Sequence, residues 1–238
     1  MSAAAADGYD RPGGKGFVPL TYNWSGVYMG VNAGYGTGDS DITENPIQLL
    51  GIIPASFSSS NNVDGFIGGV HLGMNKQFDH IVIGGEFRLD GANIDGSTGD
   101  CAGLTTLIGV PALVNFNCST TVNWVAAALA RVGYAQDRWL VYGTAGWAVA
   151  GVDYKASINV PIIALSLPSG QNDTADGFAF GGGVEYALSD SLTFGVDYTR
   201  MNLQDDGGGL LLGGILTSGN REIDLNMFTA RLNVKWGG

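Results

Sequence analysis

Eight segments of this chain alternate apolar with small or polar residues at period 2, the pattern of a strand whose two faces meet different surroundings. In the first, Val27, Met29, Val31, Ala33 and Tyr35 share one face, while Gly26, Tyr28, Gly30, Asn32 and Gly34 share the other. The others run about Phe66 to Gln77, Ile81 to Gly91, Trp124 to Tyr134, Trp139 to Gly151, Gly177 to Leu188, Leu192 to Met201 and Met227 to Trp236. How they are joined constrains the fold further. The connections Phe78 to His80, Ala135 to Arg138 and Ser189 to Ser191 are short. They alternate with long ones over Thr37 to Gly65, Ala92 to Asn123, Val152 to Asp176 and Asn202 to Asp224. Tight turns make antiparallel neighbours, so this order predicts an even, up-and-down array with both chain ends on the short-turn side.

Each segment is close to the roughly 9 to 11 residues that a tilted strand needs to cross a bilayer, and no apolar run approaches the roughly 20 residues of a membrane helix. Hydrophobic residues make up 45% of the chain and charged ones only 14%. Soluble domains carry about a quarter charged residues, so much of this surface is expected to face something other than water. The faces agree. In the last segment Phe228, Ala230, Leu232, Val234 and Trp236 oppose Met227, Thr229, Arg231, Asn233 and Lys235. Aromatics near strand ends, among them Trp24, Trp124, Tyr134, Trp139, Tyr186 and Trp236, match interfacial girdles. The predicted fold is all-β: an eight-stranded antiparallel up-and-down transmembrane β-barrel with four long extracellular loops, over residues 22–238. A flexible periplasmic arm over residues 1–21 precedes it, and Met1 to Phe17 lacks the apolar core of a signal peptide. The competing reading is a soluble eight-stranded barrel with its greasy outside against a partner.

Three stretches carry a family resemblance. They are Tyr22-Asn23-Trp24-Ser25-Gly26-Val27-Tyr28 with the following Asn32-Ala33-Gly34-Tyr35-Gly36, then Arg131-Val132-Gly133-Tyr134-Ala135, and Gly183-Val184-Glu185-Tyr186-Ala187. Together they resemble the small porin-family outer-membrane proteins of Gram-negative bacteria, of the outer-membrane immunogenic protein or major surface antigen type. The resemblance implies an outer-membrane location and a structural or porin-like role, and it carries over no catalytic residue. Family members typically end in an aromatic residue; here Trp236 is followed by Gly237 and Gly238.

Other chemistry finds little support. The 22 acidic residues outnumber 11 basic ones, leaving no basic stripe for a nucleic acid. Gly34-Tyr35-Gly36-Thr37-Gly38 and Gly181-Gly182-Gly183 neither open a helix nor precede Gly-Lys-Ser/Thr, so nucleotide binding is not expected. His71 and His80 lack ligands at metal spacing, so no metal or other cofactor is expected. No Gly-x-Ser-x-Gly elbow is present, and no nucleophile, base and oxyanion set assembles, which argues against an enzyme. His71 is expected inside the barrel, as a hydrogen-bonded filler or as a proton sensor.

Parity places Glu86, Asp90, Glu185 and Asp197 inside with Arg88, Arg131, Arg231 and Lys235, a nearly neutral lumen. Eight strands leave only enough width for side chains, so these charges are expected to pair into a plug rather than line an open ion path. Cys101 and Cys118 fall in one extracellular loop, where an oxidising compartment favours a disulfide over free thiols or metal binding. Each long loop also carries an apolar stretch, represented by Leu49, Ile108, Ile163 and Leu211. These stretches could pack into a cap, form a rim for self-association or a surface partner, or admit hydrophobic small molecules. The function expected is a non-enzymatic structural or surface-interaction barrel in contact with outer-membrane lipid. A narrow channel for small solutes, or a conduit for apolar ones, is the alternative.

Overall fold

In a computed structural model of the chain, residues 22–46, 57–98, 115–160, 165–205, 211–212 and 215–237 are described. Strands form over the alternating segments and continue well past them. They are β1 (Gly26–Pro46), β2 (Phe57–Phe78), β3 (Ile81–Thr98), β4 (Asn115–Gln136), β5 (Trp139–Val160), β6 (Leu165–Ala187), β7 (Leu192–Asp205), the two-residue β8 (Leu211–Leu212) and β9 (Ile215–Trp236). The eight long strands pair antiparallel in chain order, and β9 returns to pair β1 from Val27↔Trp236 to Pro46↔Thr217, closing the barrel. Two of the short connections are tight turns led by an aspartate with positive φ, Asp79 (φ 56) and Asp137 (φ 51). Aspartate tolerates that left-handed conformation better than most residues.

Strand length departs from the sequence expectation. The long connections are largely paired strand, with β1 and β2 in register out to Glu44↔Phe57 and β5 and β6 out to Val160↔Leu165. Cys118 and Leu211, expected in loops, have their backbones on strands: Cys118 opposite Thr98 and Ala156, and Leu211 opposite Leu216. Leu49, Cys101, Ile108 and Ile163, like the arm over 1–21, lie outside the described residues. At about 3.3 Å per residue and a tilt near 40°, strands of this length raise the barrel to about 50 Å. An apolar membrane band is only about 25 Å tall.

The extra length reverses the polarity of the faces. In the half nearer the short turns the outward residues are apolar and exposed, as with Val31, Leu72, Phe87, Val132, Val196 and Leu232. Farther along the same strands the outward positions become polar, with Asn62, Asp64, Asp95, Thr174, Gln204 and Glu222 exposed. There the inward positions are apolar, and Val63, Ile94, Leu203, Ile223 and Leu225 are almost wholly buried. On β9 the changeover falls between Met227, inward, and Phe228, outward. Below it the strand has the pattern of a barrel in hydrocarbon, and above it that of a barrel in water.

Aromatic side chains mark the changeover and join its two sides. The Tyr35 hydroxyl donates to Asp64, Trp147 Nε1 donates to Asp176 at 3.1 Å, and the Tyr198 hydroxyl donates to Asn226 at 2.6 Å. Each has an apolar body in the lower band and a polar tip held by the upper belt, as an interfacial aromatic should. On β4 the register shifts between Val122 and Trp124, so Asn123 and Trp124 both point outward. This bulge brings Val122 inward, out of phase with the strand below it.

The reversal predicts a depth-dependent cost. Leu232→Arg should destabilise the barrel by about 2 to 4 kcal/mol, while Glu222→Arg, outward on the same strand, should stay within about 1 kcal/mol. Reversible folding into lipid vesicles measures both, and equal costs would refute the assignment of the two bands.

Candidate functional site: the layered lumen

The ring of eight strands leaves an interior only wide enough for side chains, so the inward residues decide what the barrel can do. They form three layers. The middle layer is ionic and centres on Glu86 of β3. Tyr28 on β1 donates its hydroxyl to Glu86 at 2.7 Å and accepts from Arg131 of β4 at 3.1 Å. Arg231 of β9 donates to Glu86 from Nη2, and from Nη1 to Asp197 at 3.0 Å. Arg131 Nη2 reaches Glu185 of β6 at 2.7 Å, and Arg231 Nε lies 3.5 Å from the same oxygen. Arg88 donates from Nε to Asp90 at 2.9 Å and lies 3.8 Å from Asp197. The side chains of these three arginines and four carboxylates are at most 7% exposed.

Tyrosines and small residues give the ionic layer its shape. The Tyr142 ring lies 3.6 Å from the Arg131 guanidinium carbon, and its hydroxyl accepts from Arg231 at 3.1 Å. That is a cation–π contact and a charged hydrogen bond on one side chain. The Tyr28 ring occupies the space over Gly73 that any Cβ there would fill. Thus the small residues on the inner face are the room that the long polar side chains need.

Above the ionic layer, toward the long connections, lies an apolar layer containing Ile94, Val122, Met201, Leu203, Leu225 and Met227, each fully buried. Below it, at the short-turn end, Tyr22, Trp24, Val82, Leu140 and Ala187 pack with Tyr142 into an apolar floor. The floor is built by the residues just before β1. Trp24 N donates to Gln77 Oε1 at 2.7 Å, and Gln77 N donates to Ser25 Oγ at 3.0 Å. Lys235 donates to the Asn23 carbonyl and lies 4.4 Å from the centroid of the Tyr22 ring.

Parity thus brings Glu86, Arg88, Asp90, Arg131, Glu185, Asp197 and Arg231 into one cluster. Two expectations need correction. Lys235 is not part of the network, since it sits at the short-turn mouth with Asn23 and Tyr22. The layer therefore holds four carboxylates against three guanidinium groups, rather than a balanced set. Trp24 is no lipid-facing girdle residue: the chain turns inward before β1 and leaves it 2% exposed. Sequence reasoning did not assign Tyr28 or Tyr142 to the site, although alternation places both on the inner face. The upper apolar layer is not legible from the outward apolar residues either, because these stop before the strands do. Among the described residues no group of three or more His, Cys, Asp or Glu is placed to hold a metal ion.

A closed antiparallel barrel of even strand number, apolar outside over one band and charged inside, defines a bacterial outer-membrane β-barrel. Residues 1–235 match the family described as the outer membrane protein beta-barrel domain. The chain belongs to that family and to the bacterial outer membrane. It is 33% identical over 206 residues to the 31 kDa outer-membrane immunogenic protein of Brucella melitensis biotype 1, an alignment covering 85% of this chain and 81% of that one. To the 22 kDa outer membrane protein of Rhizobium leguminosarum bv. viciae it is 28% identical over 182 residues, covering 76% and 65%. The crystal structure of the outer membrane protein OprG from Pseudomonas aeruginosa has a similar fold, with a TM-score of 0.51 at 14% identity over 91% of this chain and 99% of that one.

Two predictions follow from the layers. Arg131→Met leaves the Glu185 carboxylate buried without its 2.7 Å partner, which should cost about 3 to 5 kcal/mol. Adding Glu185→Gln should recover part of that loss, and a double-mutant cycle that proves additive would show the pair to be uncoupled. In the floor, burial pushes the Tyr22 phenol from 10.0 up to about 12, and the carboxylates of Glu185 and Asp190 act in the same direction. A raised phenol stabilises the fold while it is neutral, so its contribution is complete below about 10 and is lost as pH rises toward 12. The Tyr22 hydroxyl is buried with no hydrogen-bond partner among the described residues. Tyr22→Phe should therefore leave neutral-pH stability unchanged or improved and reduce the alkaline loss, both read from denaturant midpoints.

Proposed function

We propose that this chain is a non-enzymatic, non-conducting barrel whose lumen layers act as a plug and whose outer end serves a structural or surface-interaction role. The burial of the inward side chains supports this reading. Arg88 and Asp90 in the ionic layer and Met201, Leu203, Ile223, Leu225 and Met227 above it are 0 to 2% exposed. A water-filled path would wet these groups. A solute crossing the barrel would have to part the apolar floor, break buried ion pairs and then separate an apolar core. Breaking one buried pair alone costs several kcal/mol.

The end that rises beyond the apolar band is polar outside, and it carries the apolar stretches around Leu49, Ile108, Ile163 and Leu211 in its connections. Those stretches are the proposed contact for self-association or for a surface partner. Conductance across planar bilayers tests the plug. The native barrel should pass no resolvable current, and a variant that opens all three layers, Trp24→Ala and Arg131→Ala combined with Met201→Ala and Leu225→Ala, should admit ions. Stepwise conductance from the native protein would replace this reading with that of a narrow channel.

A further inference from the structure

His71 on β2 joins two hydrogen-bond chains in the ionic layer. On one side its Nδ1 lies 3.2 Å from Asn32 Oδ1, while Asn32 Nδ2 donates to Asp90 Oδ1 at 2.5 Å. A carboxylate only accepts, so the orientation of Asn32 is fixed and its oxygen faces the ring. Only an N–H at Nδ1 satisfies that oxygen. On the other side Nε2 lies 2.5 Å from Asn233 Oδ1, and Asn233 Nδ2 donates to Thr193 Oγ1 at 3.0 Å. The Thr193 hydroxyl in turn donates to Glu185 at 3.4 Å.

With these groups as placed, both ring nitrogens face oxygens, and each needs a proton. A neutral ring offers a lone pair at Nε2 instead. Asn233 must then turn its amide over, so that Nδ2 donates to the ring and Oδ1 accepts the Thr193 hydroxyl. Thr193 can no longer donate to Glu185. The two arrangements use the same atoms and differ by one proton, one amide rotation and one hydroxyl rotation.

We propose that His71, Asn233 and Thr193 form a proton-linked relay that transmits the protonation state of His71 to Glu185, and through it to Arg131. This is regulation of the proposed plug and rests on that reading for its consequence, whereas the relay itself stands on the hydrogen-bond geometry. The groups facing the ring come from several strands. Tyr28 on β1 has its ring centroid 6.3 Å away, Glu86 and Arg88 face it from β3, and Arg231 faces it from β9. Burial and the two guanidinium groups oppose a second ring proton, while Glu86 and the Asn233 oxygen favour it. Protonation supplies the positive charge that the layer lacks, bringing four carboxylates against three guanidinium groups to balance. Gly30 keeps the space open, because any Cβ at that position would collide with both His71 Nε2 and Asn233 Oδ1.

The chain has two histidines, so His80→Gln leaves His71 as the sole ring signal. Nitrogen and carbon NMR of protein labelled at histidine, asparagine and glutamate, held in lipid nanodiscs and titrated from about pH 8 to about pH 5, spans the ordinary histidine range. The neutral ring should carry its proton on Nδ1. As the second proton binds, the Asn233 side-chain amide and the Glu185 carboxyl carbon should shift with the same midpoint. In Thr193→Val, His71 should still titrate, but Glu185 should lose its matching shift. A neutral ring protonated at Nε2 would overturn the relay, as would a ring that takes up no second proton, or an Asn233 amide that stays unmoved through the titration. Conductance measured over the same range reports the plug separately, since the relay can respond in a barrel that conducts.

Discussion

Everything in this molecule depends on the pairing of its last strand with its first. A chain crossing hydrocarbon must satisfy all its backbone N–H and C=O groups internally, and a sheet does so only when it has no edges. The β1–β9 ladder, continuous over the length of both strands, removes the edges. Closure also sets the width. With eight strands the interior is side-chain sized, so every inward residue must pack, pair or be small. The Tyr28 ring over Gly73 is a direct outcome of that crowding.

Within that width, charge and apolar packing support each other. The ionic layer lies between the Tyr22 and Trp24 floor and the apolar layer around Met201 and Leu225. Excluding water strengthens each ion pair and raises the cost of leaving any member without a partner. The tyrosines meet both demands. Tyr142 packs in the floor with its apolar ring while its hydroxyl and ring face serve Arg231 and Arg131. Tyr28 passes a hydrogen bond from Arg131 to Glu86, linking two groups whose direct separation is 4.0 Å.

Strand number, order, closure direction and the inward parity of Glu86, Arg131, Glu185 and Arg231 were legible in the sequence, because period-2 alternation and tight turns are local signals. Three things were not. The apolar outward residues stop well before the strands do, and beyond them Ile223, Leu225 and Met227 continue the alternation with the apolar side inward. The bulge at Val122 to Trp124 re-phases β4, and no residue there announces it. Trp24 obeys no strand rule, because the chain before β1 folds under the barrel, and Lys235, though inward on β9 as its parity requires, lies so near the mouth that it meets Asn23 instead of the ionic layer. The relay groups share an inner face by parity, but only side-chain geometry reveals which atoms of Asn32 and Asn233 meet His71.

The reversal of polarity along each strand also decides where the barrel can rest. Were the barrel to sink by a few residues, Asp64, Asp95, Asp176 and Glu222 would enter hydrocarbon. Were it to rise, Phe66, Phe178 and Phe228 would enter water. Both displacements are uphill, and the Tyr35, Trp147 and Tyr198 tips held by Asp64, Asp176 and Asn226 lie at the minimum between them. The molecule thus carries its own waterline, so the height at which its outer connections stand above the membrane is a property of the sequence of each strand and not of the lipid around it.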